Sequence, residues 1–185
     1  MGTRVVDYKY QYKVIIAGEP ETGKDAIITR FCKDEFLTVY TPTIGVDYHQ
    51  RYVQLAQVPC KVSFWALSGQ ERFSSVVRSY FRGANGVLFV FDLTRLLTFE
   101  NVKKWLAMSK EMTDCCKLLI GTKKDLEQDR QVSEESAVSF AEENGMEYIE
   151  VSAKDGTNVE EACIYLLHTS HQKFLAETKI VQRVG

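Results

Sequence analysis

The segment Gly18-Glu19-Pro20-Glu21-Thr22-Gly23-Lys24-Asp25 spaces two glycines and a lysine as Gly-x-x-x-x-Gly-Lys, then departs from the pattern at its final place. Upstream, Tyr12–Ala17 is a short run rich in Val and Ile. Downstream, Asp25–Phe31 repeats its apolar residues at helical spacing. The local order is therefore strand, loop, helix. In that order the glycines let backbone N–H groups turn inward, the helix beginning near Lys24 presents its positive end, and the ammonium of Lys24 reaches a terminal phosphate. A plain glycine turn with a surface lysine is the alternative, and the flanking strand and helix argue against it. The loop is nonetheless unusually acidic. Glu19, Glu21 and Asp25 against Lys24 sum to −2 beside a polyanion, and Pro20 removes one N–H from the cradle.

Outward from the loop, the chain alternates between the two periodicities. Asp47–Leu55 and Cys60–Trp65 read as strands joined by a tight connection, and Gly86–Phe91 and Cys116–Ile120 as strands buried on both faces. Helices are predicted over Thr98–Met112 and over Glu134–Glu143, with Ser133 as N-cap. A last strand falls at Tyr148–Val151, and a long amphipathic helix spans Asn158–Leu175 with a frayed tail beyond it. Alternation with one early antiparallel hairpin predicts a three-layer α/β domain whose mostly parallel sheet binds ligands at the carboxyl ends of its strands.

The 185 residues carry 23 basic and 25 acidic side chains, a formal charge of −2, which suits one ordinary globular domain and argues against a generally basic nucleic-acid binder. No apolar run approaches the roughly 20 residues needed to span a bilayer. The N-terminus has the pattern of neither a signal nor a transit peptide, so a cytoplasmic location is expected. The cysteines Cys32, Cys60, Cys115, Cys116 and Cys163 show neither a disulfide framework nor zinc-site spacing and read as reduced thiols. His49, His168 and His171 form no recognisable metal set.

Further motifs bring in a family resemblance. Thr43-Ile44-Gly45-Val46-Asp47-Tyr48 resembles a first switch, and Phe64-Trp65-Ala66-Leu67-Ser68-Gly69-Gln70-Glu71-Arg72-Phe73 a second. Ser79-Tyr80-Phe81-Arg82-Gly83-Ala84 follows a run characteristic of Rab proteins. Gly121-Thr122-Lys123-Lys124-Asp125-Leu126 stands at a guanine-reading Asn-Lys-x-Asp place, and Glu150-Val151-Ser152-Ala153-Lys154 at a Ser-Ala-Lys place. Together with the phosphate loop, the chain resembles a Ras-superfamily small GTPase, and the Rab family most, over a core of about 12–171 with flanking extensions. The resemblance implies the P-loop small-GTPase fold: a single domain with a six-stranded, mostly parallel sheet, one antiparallel strand, and helices on both faces.

It also implies roles. GTP or GDP would be held by Glu21, Thr22, Gly23, Lys24, Asp25, Ala26, Thr43, Gly69, Thr122, Lys123, Asp125, Ser152, Ala153 and Lys154. Gln70 would be the catalytic residue that positions the attacking water. Asp125 would accept from the two donors on the guanine edge, Lys123 would lie over the base, and Ala153 would offer its N–H to the guanine oxygen. Thr122, standing where the family has Asn, is expected to lower guanine affinity. Effector proteins would be met through the switches and through Tyr48, Trp65 and Tyr80, with an exchange factor as a further partner. Membrane attachment, on vesicles by resemblance, would come through a partner or a C-terminal lipid anchor that this sequence does not include.

The magnesium ligands depart from the family. Asp25 stands in place of a hydroxyl residue, and Ala66 in place of the aspartate that closes the third strand. Asp25 and Thr43 are the remaining candidates for Mg²⁺. Asp25 either carries the lost negative charge across the site as a direct ligand or excludes the metal by crowding it and repelling the β-phosphate. On either reading the metal grip changes, and slow hydrolysis or a non-cycling interaction scaffold is expected.

Overall fold

The computed structural model describes residues 7–37, 45–69, 75–110 and 114–184. Six strands form one sheet in the order β2-β3-β1-β4-β5-β6. They are β1 Tyr10–Ala17, β2 Val46–Leu55, β3 Val58–Leu67, β4 Gly86–Asp92, β5 Cys116–Thr122 and β6 Glu147–Glu150. Among the described residues, only the β2–β3 pair is antiparallel. Every residue of β4 is buried, because this strand lies between two helical layers and needs apolar side chains on both faces. The helices are α1 Lys24–Lys33, α2 Ser75–Phe81, α3 Leu96–Glu100, α4 Val102–Lys110, α5 Glu134–Glu143 and α6 Val159–Val184.

Alternate strand residues feed two cores. Val14, Ile16, Val62, Phe64 and Leu88 pack with Ile27 and Phe31 of α1 and Ala162 and Leu166 of α6. Ile15, Val87, Phe89 and Phe91 point the other way, onto Val102 and Trp105 of α4 and Ala137 and Phe140 of α5. This period-2 division of side chains is what makes three layers.

Several sequence expectations are corrected. The predicted helix over Thr98–Met112 is two helices, α3 and α4, meeting at Asn101, whose N–H closes the first on Leu97 O; Met112 itself lies outside the described residues. The tail past Leu175 continues as helix to Val184, supported by the Lys173–Glu177 pair and the Thr178 hydroxyl bond to Phe174 O. Helix α2 and a 3₁₀ helix over Lys124–Asp129, neither of them predicted, complete the chain. Helix α5 begins where Ser133 predicts, its hydroxyl accepting from Ser136 N at 3.2 Å.

His171, to which the sequence assigned no chemistry, is a core residue. Its ring is 2% exposed, meets the Tyr12 hydroxyl at 2.5 Å and stands edge-on to Tyr10 and Tyr12, joining α6 to β1.

Candidate functional site

The loops that follow β1, β3, β4, β5 and β6 all leave the carboxyl edge of the sheet. Beside β1 the strand order reverses, with β3 on one side and β4 on the other, so the loop after β1 opens into the crevice of a doubly wound sheet. Gly18 starts that loop under a hard constraint: a Cβ there would stand 2.1 Å from Val90 O on β4. Glu21 turns left-handed at φ 63°, and Gly23 does so again at φ 85° to cap α1. The chain thereby wraps around the side chain of Lys24. Its ammonium is buried and donates to Glu19 O at 2.7 Å, while the Thr22 hydroxyl donates to the same carbonyl at 2.9 Å. Burial pushes the Lys24 pKa down to about 8, although Asp25 and Glu19 pull it upward.

Gly69, just past β3, presses on this loop. With φ 85°, a Cβ on it would lie 2.7 Å from Pro20 N and 2.8 Å from Gly18 O, so no side chain can stand between the two segments. Glu19 is buried, and its carboxylate lies 3.4 Å from the indole N–H of Trp105 on α4. Asp25 and Ala26 occupy the first turn of α1, both half-buried.

Thr122 ends β5 and ties the sheet to the phosphate loop. Its single hydroxyl proton is shared between Thr22 O at 2.8 Å and Phe91 O at 2.9 Å. The next residue, Lys123, turns left-handed at φ 63° and sends its ammonium to Asp92 at 2.6 Å. Asp92 is fully buried. Burial alone would raise its carboxyl, but Lys123 and the Thr94 donors hold it below the usual range. The Asp125 carboxylate accepts from the Ser152 hydroxyl at 2.8 Å, with Lys154 Nζ at 3.7 Å. Arg30 of α1 fixes the loop bearing Ser152, donating to Ala153 O at 2.8 Å and Lys154 O at 3.0 Å. The two motif segments after β5 and β6 are thus brought together at one end of the molecule. Gln70 and Thr43 lie outside the described residues.

Tyr48, Trp65 and Tyr80 form a continuous aromatic group, with ring centroids 4.8 Å apart for the first pair and 5.8 Å for the second. Tyr48 is 45% exposed, whereas Trp65 and Tyr80 are half-buried against the second core. Lys13 Nζ lies over the Trp65 ring at 5.7 Å.

Sequence reading missed Arg95, on the loop after β4. Its guanidinium donates to Pro20 O at 2.7 Å, lies 3.4 Å from the Glu21 carboxylate and places Nε 3.4 Å from Asp92. No spacing rule brings residue 95 to residue 20; only the β1–β4 neighbourhood does so. Arg30 was missed for the same reason.

The loop wraps a buried ammonium, Lys24, beside the first turn of α1, although three acidic side chains share that loop. The metal donor set is different. The β3 position is the buried methyl of Ala66, which offers no oxygen, and no group of three or more His, Cys, Asp or Glu among the described residues could hold a metal ion. Among the described residues no helix is long and apolar enough to cross a membrane.

A doubly wound sheet with a Gly-x-x-x-x-Gly-Lys loop at its switch point defines a P-loop nucleotide-binding domain. The profile of the Ras family matches residues 13–172, and the chain belongs to that family of small GTP-binding proteins. Similar proteins are of the Rab type. Ras-related protein RABA6b of Arabidopsis thaliana is 38% identical over 165 residues, 88% of this chain and 72% of that protein. Ras-related protein RABD1 of the same plant is 36% identical over 181 residues, covering 97% and 88%. Ras-related protein RABA6a, also from Arabidopsis, is 38% identical over 165 residues, covering 88% and 71%.

Proposed function

We propose that this Rab-like protein is a guanine-nucleotide switch of vesicle traffic that binds GDP and GTP with a weakened magnesium grip and hydrolyses GTP slowly. One observation carries the nucleotide reading: the Asp125–Ser152 pair and the Lys24 cradle face the same carboxyl edge of one sheet. A carboxylate held by a hydroxyl is oriented to accept from N1–H and the exocyclic amine of guanine, a pattern adenine lacks. The bound nucleotide's phosphates would lie among the N–H groups of Glu21–Ala26, with the Lys24 ammonium as counter-charge. Thr122 would act through the loop that it ties to β5, and Lys123 through its stem above Asp92. The backbone N–H groups of Gly69 and Thr43 would meet the terminal phosphate, with Gln70 directing water onto it.

Divalent magnesium, where it binds, neutralises charge on the β- and γ-oxygens. With a methyl at Ala66 and a carboxylate at Asp25, this chain is poorly matched to the octahedral oxygen set that Mg²⁺ demands, and exclusion or severe weakening of the metal is the favoured reading. The double substitution Asp25→Ser with Ala66→Asp is expected to raise both GDP affinity and single-turnover GTP hydrolysis in magnesium buffer. No gain in either would defeat the metal part of the proposal.

Effectors and an exchange factor would be engaged through the switches and the Tyr48–Trp65–Tyr80 group. A second reading, an interaction scaffold that keeps the fold but does not cycle, is favoured by that same aromatic group together with the altered metal set. Chromatography of nucleotide released from the purified protein separates the two: a cycling switch carries GDP or GTP through purification, and a scaffold carries none.

A further inference from the structure

The phosphate loop holds three acidic residues and one lysine, an arrangement that repels a nucleoside diphosphate. The loop after β4 supplies a compensating charge. Arg95 reaches across to the loop at two points, the Pro20 carbonyl at 2.7 Å and the Glu21 carboxylate at 3.4 Å. Its Nε rests 3.4 Å from Asp92, whose buried carboxylate also holds the Lys123 ammonium. A chain of charges therefore runs from the segment before Asp125, through a buried anion, to the rim of the phosphate cradle. The Arg95–Glu21 pair is solvent-accessible, with side chains 39% and 58% exposed, so it contributes little to folding. Its consequence is felt when a polyanion arrives.

Resting on the guanine-nucleotide reading above, we infer that Arg95 is a positioning residue for the phosphates. It engages the Pro20 carbonyl and offsets the Glu21 charge, so that an acidic loop can accept a diphosphate. A guanidinium suits the task because its fork serves a carbonyl and a carboxylate at once and stays charged at any working pH.

The test is GDP affinity, by equilibrium titration of the full chain, for the wild type, Arg95→Gln, Arg95→Lys, Glu21→Gln and the Arg95→Gln/Glu21→Gln pair. Glutamine still offers a donor to Pro20 O without the charge, and lysine keeps the charge without the fork. Arg95→Gln is expected to weaken GDP binding about tenfold in low salt and distinctly less in high salt, and Arg95→Lys to retain most of the affinity. Glu21→Gln is expected to tighten binding and, as the background, to shrink the Arg95→Gln loss at least about threefold. Wild-type binding with Arg95→Gln within twofold of it, or an equal Arg95→Gln loss in both backgrounds, overturns the role of Arg95 and leaves the nucleotide reading standing. Absence of GDP binding by the wild type overturns both.

Discussion

Lys24 shows how a single buried cation links pH to binding. With its pKa near 8 against 10.5 for an exposed lysine, the folded chain without nucleotide has given up a proton between those values that the unfolded chain still holds. In that window the Lys24 contribution to stability rises with pH. Phosphate reverses the balance by favouring the ammonium. GDP affinity is therefore expected to fall as pH rises through about 8, with proton uptake on binding at pH 9, measurable by titration calorimetry in buffers of different ionisation enthalpy. Unchanged affinity between pH 7 and 9.5 would place the phosphates away from Lys24. Asp125 makes a second residue-scale prediction. Asp125→Asn removes a charged acceptor at roughly 1.5–3 kcal/mol per hydrogen bond, so GDP affinity should fall about a hundredfold. Because an amide can donate to the carbonyl that xanthine bears where guanine has its amine, competition binding should show xanthosine diphosphate gaining on GDP. Both residues stood out in the sequence by motif spacing. Arg95 and Arg30 did not, since long side chains that reach another loop leave no periodic trace.

At the scale of elements, what could be read depended on whether the signal was local. Helix α5 falls on its predicted span because Ser133 caps it, and strands β4 and β5 were visible because burial on both faces writes continuous apolar runs. The β2–β3 hairpin was expected to be tight, yet its two-residue turn, Ala56-Gln57, lies at φ 48° and 66° without a glycine. Strand twist imposes that primed geometry over the residues' own preference. Helices α3 and α4 escaped because the helical spacing of Phe99, Val102 and Trp105 runs through the break at Asn101. Thr122 changed meaning between levels. As a letter it was a departure from the guanine-reading motif, and in the fold its hydroxyl fastens β5 to the phosphate loop. Thr122→Val, nearly isosteric, is expected to lower stability by about 1–3 kcal/mol by leaving two buried carbonyls with one donor fewer. A shift of the urea midpoint with an unchanged slope would show it. An unshifted midpoint would mean that this fastening is negligible.

Across the whole molecule, the doubly wound sheet gathers the loops that bear charge at one edge. Ala66 offers no oxygen at the β3 position, while Lys24 and Arg95 bring positive charge to the phosphate loop and Lys123 to the segment after β5. On the proposed reading, in which the protein's own cations rather than a metal balance the nucleotide's charge, nucleotide retention must survive removal of the metal. The most direct measurement is the dissociation constant for GDP and for GTP in excess Mg²⁺ and again in excess EDTA. The account predicts saturable binding of both nucleotides, with affinities in the two buffers agreeing within about threefold, or ~0.7 kcal/mol. A collapse of affinity on chelation, or binding of neither nucleotide at any concentration, would contradict it.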